Sequence, residues 1–338
     1  MKAAVIDVDR VTVESIPDPT PGPREVVVAV AACGICGTDL HIADGEFAPT
    51  LPVTPGHEFA GEVVAIGTAV DPAADGVRVG DQVAVDPSLY CGECYFCRRG
   101  RGNMCDRWGG IGVTTTGGAA DYVAAPVANC VVLPDAVRPV DAALIEPLSC
   151  AVHGFDVLAP AMGDHYLIYG AGTMGLMMME LAKRAGAASV SMVDLNPARL
   201  ETARELGCSA AVGSADELDR PRGWDNVIDC TGVVAAIEDG LPRVIKGGTF
   251  QQFGVANADA VARFSPFTVY NQEIRIIGSM AVLHSFERAG ELLEAGFLRP
   301  DIMISDRFDL EDYAKALEQF KQGTGRKIQV QPAAALGA

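Results

Sequence analysis

The stretch "YLIYGAGTMGLMMMELAKRAG", residues 166–186, constrains the fold of this chain more than any other stretch does. An apolar run suited to a buried strand leads into Gly170, Gly172 and Gly175, and an amphipathic run suited to a helix follows. Glycine at these spacings permits a tight turn, close approach of a phosphate to the backbone, and close packing of the helix on the strand. The pattern predicts the first βα turn of a doubly wound parallel sheet.

Strand-like runs and helix-like runs continue to alternate beyond this turn, as in repeated βα units. Two helices are evident, in "LMMMELAKRAG" and "PARLETARELG". The strand candidates are "HYLIYG", "SVSMVD", "AAVG", "NVIDC", "GTFQQFG" and "IRIIGS". Six such strands predict an α/β fold with a doubly wound, six-stranded parallel sheet.

Asp194 ends the second of these strands, nineteen residues after Gly175. A carboxylate there can accept hydrogen bonds from the adenosine ribose of a dinucleotide and repel a 2′-phosphate, which favours NAD over NADP. Arg199, one helical turn later, is the residue that would oppose this preference. In the alternative interpretation the glycines only pack the helix and Asp194 caps the helix that starts near Pro197; the strand, glycines, helix and acid in register disfavour it.

The first part of the chain, up to about Pro147, reads instead as β structure, with runs such as "REVVVAVAA" and "EFAGEVVAIG". A chain of 338 residues exceeds the usual size of one core, so we expect a second domain, with the boundary within 146–151. Beyond Ser279 the helix-like runs "SFERAGELLEAGF" and "LEDYAKALEQFKQG" lead to a strand-like "KIQVQP". We expect these last segments to return to the first domain.

The net charge of −18 disfavours nucleic acid and anionic membranes as partners, and there is no basic cluster larger than "CRRGRGN". No apolar run reaches the ~20 residues that span a bilayer, and the chain opens on a strand-like run rather than a signal peptide. We therefore expect a cytoplasmic protein. The ten cysteines are then expected to be reduced and available to metal rather than paired in disulfides.

Four cysteines, here called the cysteine quartet, occur in "YCGECYFCRRGRGNMC" with the spacing CxxCxxC-x7-C: Cys91, Cys94, Cys97 and Cys105. Four thiolates can close a tetrahedral shell around one Zn²⁺, which predicts a structural site. An iron–sulfur cluster also takes four cysteines. The charged, glycine-rich loop and the lack of other signs of electron transfer favour zinc.

A different group of donors surrounds Cys36, with His57 and Glu58 in "PGHEFAG" and Glu146 in "IEPLS". A catalytic zinc takes about three protein ligands and keeps one exchangeable position, which such a group can provide. Each residue alone would more often be structural. The remaining cysteines are expected to be small core residues: Cys33, Cys130, Cys150, Cys208 and Cys230.

The motifs "CGICGTDLHI", "GHEFAGEVVAIG", "CGECYFCRRGRGNMC", "EPLSCAVHG" and "GAGTMG" together resemble the zinc-dependent medium-chain dehydrogenase/reductase family. The resemblance covers the chain in the family's order, and "GHE", "EPLS" and "DCTG" look most like its polyol branch of sorbitol, arabinitol and threonine dehydrogenases. It implies a GroES-like catalytic domain at 1–147 with a zinc lobe at about 88–108, a Rossmann NAD domain at 148–283, and a return to the catalytic domain at 284–338.

The resemblance also implies roles for the donors. Cys36 and His57 match the catalytic zinc ligands, and Glu58 matches a carboxylate that binds the zinc. Glu146 matches a second glutamate, which either bonds to the zinc-bound water or takes the place of that water. Thr38 matches the hydroxyl that relays the substrate proton, and His41 the imidazole that passes it to solvent. The residues that match cofactor positions, besides the three glycines, are Thr173, Met174, Asp194, Arg199, Phe253, Gly254, Val255, Ser279 and Met280.

The implied reaction is hydride transfer between a secondary alcohol, such as a polyol, and NAD, in a homodimer or homotetramer. Ala281 and Val282 stand where sorbitol dehydrogenases have arginine and tyrosine, which disfavours sorbitol itself. Tyr90, Trp108 and Phe267 are possible pocket residues. The alternatives are an NADP-preferring carbonyl reductase, a threonine-like dehydrogenase, and a non-catalytic relative, the last disfavoured because the ligands and the relay are intact.

Overall fold

The structure, a computed structural model, describes residues 1–8, 10–46 and 51–332. The return segment predicted for 284–338 therefore has its last six residues outside the described part of the chain. No helix in the described residues is both long and apolar enough to cross a lipid bilayer.

Seventeen strands lie in the described residues. In chain order they are β1 (Lys2–Asp7), β2 (Arg10–Ser15), β3 (Glu25–Gly34), β4 (Glu58–Ile66), β5 (Gln82–Val85), β6 (Ser88–Leu89), β7 (Gly109–Gly110), β8 (Tyr122–Pro126), β9 (Cys130–Val132), β10 (His165–Tyr169), β11 (Ser189–Val193), β12 (Ala210–Val212), β13 (Trp224–Asp229), β14 (Val244–Gln252), β15 (Arg275–Gly278), β16 (Ile304–Asp309) and β17 (Lys327–Gln331).

Eleven α-helices accompany these strands in the same described ranges. They are α1 (Gly37–Ala43), α2 (Pro72–Asp75), α3 (Pro139–Ala142), α4 (Ile145–Leu158), α5 (Thr173–Arg184), α6 (Pro197–Glu205), α7 (Val234–Gly240), α8 (Pro266–Gln272), α9 (Phe286–Glu294), α10 (Pro300–Met303) and α11 (Tyr313–Lys321). Single-turn 3₁₀ helices add Cys97–Arg99, Gly102–Met104, Val127–Asn129, Ala215–Glu217, Leu241–Arg243 and Leu310–Asp312.

The chain divides into two compact units. Unit 1 comprises Met1–Ser149 and Val282–Ala338, and unit 2 comprises Cys150–Ala281. The inserted unit thus begins two residues later and ends two residues earlier than the predicted 148–283, because α4 runs across the first boundary without a break.

Unit 2 is a doubly wound sheet, as predicted. Its six strands lie in the order β12-β11-β10-β13-β14-β15 and all pairs are parallel. Each strand candidate from the sequence coincides with one of these strands. The order reverses between β10 and β13, and in such sheets the ligand binds at that point, beyond the carboxyl ends of the strands.

Unit 1 is built around a seven-stranded sheet in which β16-β17-β3-β4-β5-β9 follow one another and β8 also pairs with β3. The strand from the end of the chain, β17, pairs antiparallel with β3 from its beginning, through Gln329 opposite Gly34 and Val330 opposite Cys33. The unit's main core therefore combines residues from both parts of the chain, including Val28, Phe59, Tyr313 and Ile328.

Candidate active site

Three donors of unit 1 converge at one end of the β3–β4 pair, and we call them the buried donor set: Cys36, His57 and Glu58. Cys36 follows β3 and caps α1, while His57 and Glu58 lead into β4. Their ligand atoms all lie within 4.8 Å of one another. Glycine is required at Gly34, opposite Glu58 in the sheet, because a Cβ there would lie 2.0 Å from the Glu58 carboxylate.

The donor chemistry of this set suits zinc. A thiolate, an imidazole and a carboxylate are all zinc ligands, and three protein donors leave a position for substrate. His57 Nδ1 is buried without a hydrogen-bond partner among the described residues. Burial alone would lower the pKa of His57, but the Cys36 charge and hydrogen bond, with help from Glu146, raise it well above the usual value. The surroundings of His57 are therefore electronegative and favour a cation.

Lys327 compensates part of that negative charge. Its Nζ donates to both carboxylate oxygens of Glu58, at 2.8 and 2.5 Å, and to the carbonyl oxygen of Ile35 at 3.1 Å. Both side chains are almost fully buried, at 4% and 1% exposure. Burial favours a lower pKa for Lys327, but the charge of Glu58, followed by that of Cys36, raises it. The pair holds the Glu58 carboxylate at the edge of the donor set.

Asp39 fixes the turn that presents Cys36. Its Oδ2 accepts from the Cys36 backbone N–H at 2.9 Å, which starts α1 directly after the cysteine. Asp39 is fully buried, and burial raises its pKa to about 6 against the opposing charge of His57. The side chain thus lies beneath the donors rather than in solvent.

The two residues proposed as a proton relay lie on α1. Thr38 Oγ1 is 3.7 Å from Cys36 Sγ. His41 lies one turn later, partly exposed, with Nδ1 2.6 Å from Glu46 Oε2. Glu146, in the first turn of α4, is buried, but it does not join the donor set at the 4.8 Å spacing. Its charge nevertheless raises the pKa of both His57 and Lys327.

The cysteine quartet forms a second cluster, in the loop that follows β6. The four sulfurs lie within 4.8 Å of one another, with Cys91 and Cys105 3.5 Å apart. Backbone N–H groups within the loop point at the sulfurs, as from Cys94 to Cys91 at 3.4 Å and from Arg107 to Cys105 at 3.3 Å. Hydrogen bonds from backbone amides lower the pKa of Cys91 to about 6 and also lower that of Cys94. Burial, with the neighbouring Cys94 and Cys105 side chains, instead raises the pKa of Cys97 to about 12. The loop amides thus favour thiolate, the form that binds zinc, at Cys91 and Cys94.

The glycine-rich turn of unit 2 has the geometry that dinucleotide binding requires. Gly170 has a φ of +95°, which disfavours other residues. A Cβ at Gly175 would lie 1.7 Å from the carbonyl oxygen of Gly170, whereas a Cβ at Gly172 would meet only Arg199, at 3.6 Å. The first amides of α5, from Thr173 onward, receive no side-chain cap, so they remain for a phosphate.

Asp194 lies beside this turn and makes two backbone contacts. Its Oδ2 accepts from Ala171 N at 2.7 Å and its Oδ1 from Asn196 N at 2.8 Å. Each carboxylate oxygen keeps a further lone pair for a ribose hydroxyl. Arg199 places Nη1 3.9 Å from Asp194 Oδ2. An acid and a guanidinium therefore lie together at the mouth of the glycine turn.

The other cofactor candidates follow the carboxyl ends of neighbouring parallel strands. Phe253, Gly254 and Val255 come directly after β14, and Ser279 and Met280 after β15. Val255 and Met280 are exposed, and Ser279 Oγ lies 3.4 Å from Gln251. With Met174 on the first turn of α5, these residues share the sheet edge at which the chain order reverses.

The three proposed pocket residues lie in three different settings. Tyr90, half-exposed, lines a cavity of about 410 Å³ beside the cysteine quartet, together with His284 and Glu287. Trp108 packs among Ile42 and Val113 in a small apolar cluster. Phe267 lies in unit 2 with 71% of its surface exposed. Within either unit, the structure does not gather them into one pocket.

Sequence reasoning missed four side chains around the donors: Asp39, Glu46, Tyr313 and Lys327. Asp39 had a signal, since an acid three residues after a helix-starting residue is the pattern of a capping box. No sequence motif indicates Glu46, Tyr313 or Lys327. Lys327 in particular is 269 residues from Glu58, the glutamate that it holds. Only the pairing of β17 with β3 brings it there.

The comparisons with known proteins agree with this architecture. The family model of the alcohol dehydrogenase GroES-like domain matches residues 22–135, and that of the zinc-binding dehydrogenases matches residues 173–295. D-arabinitol dehydrogenase 1 of Uromyces fabae is 36% identical over 319 residues, which cover 91% of this chain and 90% of that enzyme.

Two solved structures extend the comparison. A zinc-binding dehydrogenase from Sinorhizobium meliloti 1021 bound to NADP has 34% identity and a TM-score of 0.93, covering 98% of this chain and 99% of that one. The alcohol dehydrogenase rspB of E. coli CFT073, complexed with NADH, has 28% identity and a TM-score of 0.89 with the same coverage. The chain therefore belongs to the zinc-dependent medium-chain dehydrogenase/reductase family of oxidoreductases, in its polyol branch.

Proposed function

We propose that the protein oxidises a secondary hydroxyl group of a polyol, with zinc held by the buried donor set and NAD as the hydride acceptor. The observation that carries the proposal is the convergence of Cys36, His57 and Glu58 beside Thr38 and His41. A purely structural zinc would need neither an open position nor a hydroxyl beside it. The name of the Uromyces fabae relative supports a five-carbon sugar alcohol as the first substrate to test.

Each residue has a task in this reaction. Zinc would supply Lewis-acid stabilisation of negative charge on the alcohol oxygen, and NAD would accept the hydride. Thr38 accepts the alcohol proton on its hydroxyl oxygen as it passes its own hydroxyl proton on toward His41, and His41 releases a proton to solvent. Glu46 Oε2, 2.6 Å from His41 Nδ1, holds the imidazole. Lys327 and Asp39 keep Glu58 and Cys36 in place. The Cys91, Cys94, Cys97 and Cys105 thiolates would hold a structural zinc.

NAD preference is supported by Asp194, whose carboxylate would bind the ribose diol and repel a 2′-phosphate. One observation favours the second candidate, an NADP-dependent enzyme of the same class. Arg199 is the side chain nearest a Cβ on Gly172, so its guanidinium could pair with a 2′-phosphate. The NADP in the Sinorhizobium meliloti structure supports the same alternative. We also propose that the protein is cytoplasmic and assembles as a homodimer or homotetramer.

The experiment is a substrate screen with matched cofactors. Arabinitol, ribitol, xylitol, sorbitol, threonine and butanediol are each incubated with the zinc-loaded protein and NAD or NADP, and formation of the reduced cofactor is recorded. We expect the highest kcat/KM for a pentitol with NAD. A higher kcat/KM with NADP would mean that the enzyme prefers NADP and that Arg199 binds its 2′-phosphate. Turnover of threonine and of no polyol would mean that the substrate is an amino alcohol.

Thr38→Val tests the relay, because valine keeps the β-branched shape and lacks the hydroxyl. We expect a loss of about a hundredfold in kcat with zinc content unchanged, the scale of a positioned proton-transfer group. Thr249→Val is the matched control, since Thr249 is a buried threonine on β14 and lies outside the proposed relay. Normal turnover by Thr38→Val, with hydride transfer rate-limiting, would show that the proton leaves by another path.

A further inference from the structure

Asp229 is a fully buried carboxylate at the carboxyl end of β13. Its Oδ1 accepts from the backbone N–H of Thr231 at 3.0 Å and from the Thr231 hydroxyl at 2.6 Å. Its Oδ2 accepts from the backbone N–H of Gly232 at 2.9 Å and from Gln252 Nε2 at 2.7 Å. A carboxylate has about four lone-pair sites, and these hydrogen bonds fill them. Asp229 can therefore act on a ligand only through the groups that it holds.

These groups tie Asp229 to two loops, which we call the β13 loop (residues 230–233) and the β14 loop (residues 253–255). The carboxylate holds the β13 loop directly. The main-chain carbonyl of Asp229 accepts from the first two amides of the β14 loop, at 3.0 and 2.7 Å. Gln252, the last residue of β14, adds a bond from its Nε2 to the carbonyl oxygen of Gly254 at 2.7 Å. One residue therefore fixes the start of both loops.

The two loops also contact each other through their backbones. Gly232 has a φ of +69°, and a Cβ there would lie 2.0 Å from the carbonyl oxygen of Val255. A Cβ on Gly254 would lie 2.4 Å from the backbone nitrogen of Gly232. Neither glycine could carry a side chain unless the loops moved apart. The β13 and β14 loops are therefore one packed unit, joined at Asp229.

This unit lies in the second half of the doubly wound sheet. The chain order reverses between β10 and β13, and a dinucleotide binds across such a point with one nucleotide on each half of the sheet. Asp194, the proposed ribose ligand, follows β11 in the first half. The adenosine therefore belongs to the first half, and the nicotinamide nucleotide belongs to the half that carries the β13 and β14 loops.

We propose that Asp229 is a positioning residue that holds the β13 and β14 loops in the conformation that receives the nicotinamide nucleotide. It acts without touching the cofactor, because its own acceptor sites are filled by the loops. When the binding conformation is populated only in part, the affinity for the ligand falls by that fraction. This inference rests on the proposed function, since it assumes that a nicotinamide dinucleotide binds beyond the ends of these strands.

Asp229→Asn keeps the size of the side chain but replaces one acceptor oxygen with an amide that donates. Either orientation of the amide loses two of the hydrogen bonds to the loops. The binding of the reduced cofactor, NADH or NADPH as the wild type prefers, is measured by fluorescence titration. We expect its dissociation constant to rise about tenfold, as when about a tenth of the molecules keep the binding conformation. The dissociation constant of ADP, which carries only the adenosine half, should stay close to the wild-type value.

Asp164→Asn is the matched control. Asp164 Oδ2 also accepts from a loop amide, Ala161 N at 2.9 Å, and from a side-chain amide, Asn226 Nδ2 at 2.8 Å. It precedes β10, however, and so lies at the amino ends of the parallel strands. This variant should bind the reduced cofactor and ADP as the wild type does. Thr231→Val tests the same unit if Asp229→Asn does not fold: it removes one hydrogen bond to Asp229 and should weaken cofactor binding by a smaller factor.

Two results would overturn the proposal. Wild-type cofactor affinity in Asp229→Asn, or in Thr231→Val if only that variant folds, would show that the hydrogen bonds serve stability alone. Equal losses of affinity for the reduced cofactor and for ADP would show that the whole unit has loosened. A wild-type protein that binds ADP but neither NADH nor NADPH would overturn the proposed function and this inference with it. A wild-type protein that binds the reduced cofactor but oxidises none of the alcohols would overturn the proposed function alone.

Discussion

The cysteine quartet and the buried donor set are both proposed zinc sites, but they are built in opposite ways. The quartet lies within fifteen consecutive residues, is half-buried, and receives backbone hydrogen bonds from amides of its own loop. In the donor set His57 and Glu58 are buried and Cys36 is half-buried, and the supporting groups arrive from α1 and β17. The geometry of the first is a property of a loop, whereas that of the second is a property of the whole of unit 1.

The largest expected contrast comes from removing one thiolate from each site. Cys36→Ser should lose one zinc and about a thousandfold or more of its activity, because Lewis-acid stabilisation is worth several kcal/mol, while its melting temperature stays close to wild type. Cys94→Ser should lose the other zinc and melt at a lower temperature, since a closed site contributes folding free energy. Metal analysis, initial rates and thermal melts measure this. A Cys94→Ser protein with a wild-type melting temperature would contradict the comparison.

Lys327→Met tests whether the buried site depends on charge supplied from a distance. Removing the ammonium leaves Glu58 buried without its partner, so we expect the free energy of unfolding to fall by about 3–5 kcal/mol in chemical denaturation. The double variant Glu58→Gln, Lys327→Met is the control and should recover most of this loss, because it leaves no unpaired charge. Equal stability of the single and double variants would argue that the pair is not energetically coupled.

The smallest change in stability is expected from removing the cation of the ion pair beside the quartet. Arg107 pairs with Glu93 beside the cysteines, but their side chains are 62% and 71% exposed. Arg107→Ala should therefore leave the free energy of unfolding close to the wild-type value and the zinc content unchanged. Loss of the quartet's zinc from this variant would show that the loop amides do not suffice to hold the thiolates.

The same contrast explains how much could be predicted from the sequence. The quartet and the glycine turn are local, so spacing alone indicates their chemistry, and the parallel sheet follows from the alternation of strands and helices. Cys36, His57 and Glu58 could be proposed because three zinc-binding side-chain types occur in one short stretch and match motifs of the dehydrogenase family. These features depend on short-range geometry that residue order encodes directly.

The positions of Tyr313 and Lys327 could not be predicted in this way. Tyr313 reads as an ordinary apolar residue of an amphipathic helix, and Lys327 as the polar start of a strand. Their burial depends on β17 pairing with β3 and on α11 packing against α1, which are long-range events. The predicted pocket residues illustrate the same limit, since Tyr90 lines a cavity beside the quartet while Trp108 packs in a small apolar cluster.

The distance along the chain between Glu58 and Lys327 has a consequence for synthesis. The ribosome releases Glu58 early, then the whole of unit 2, and only afterwards β17. Because domains fold as they emerge, unit 2 can be complete while the carboxylate of Glu58 still has no ammonium beside it. Until 269 further residues have been translated, the Cys33–Gly34 end of β3 therefore lacks its β17 partner, whereas the Glu25–Ala29 end can already pair with β8. During that interval this end of β3 presents unpaired backbone groups, with which another strand can pair.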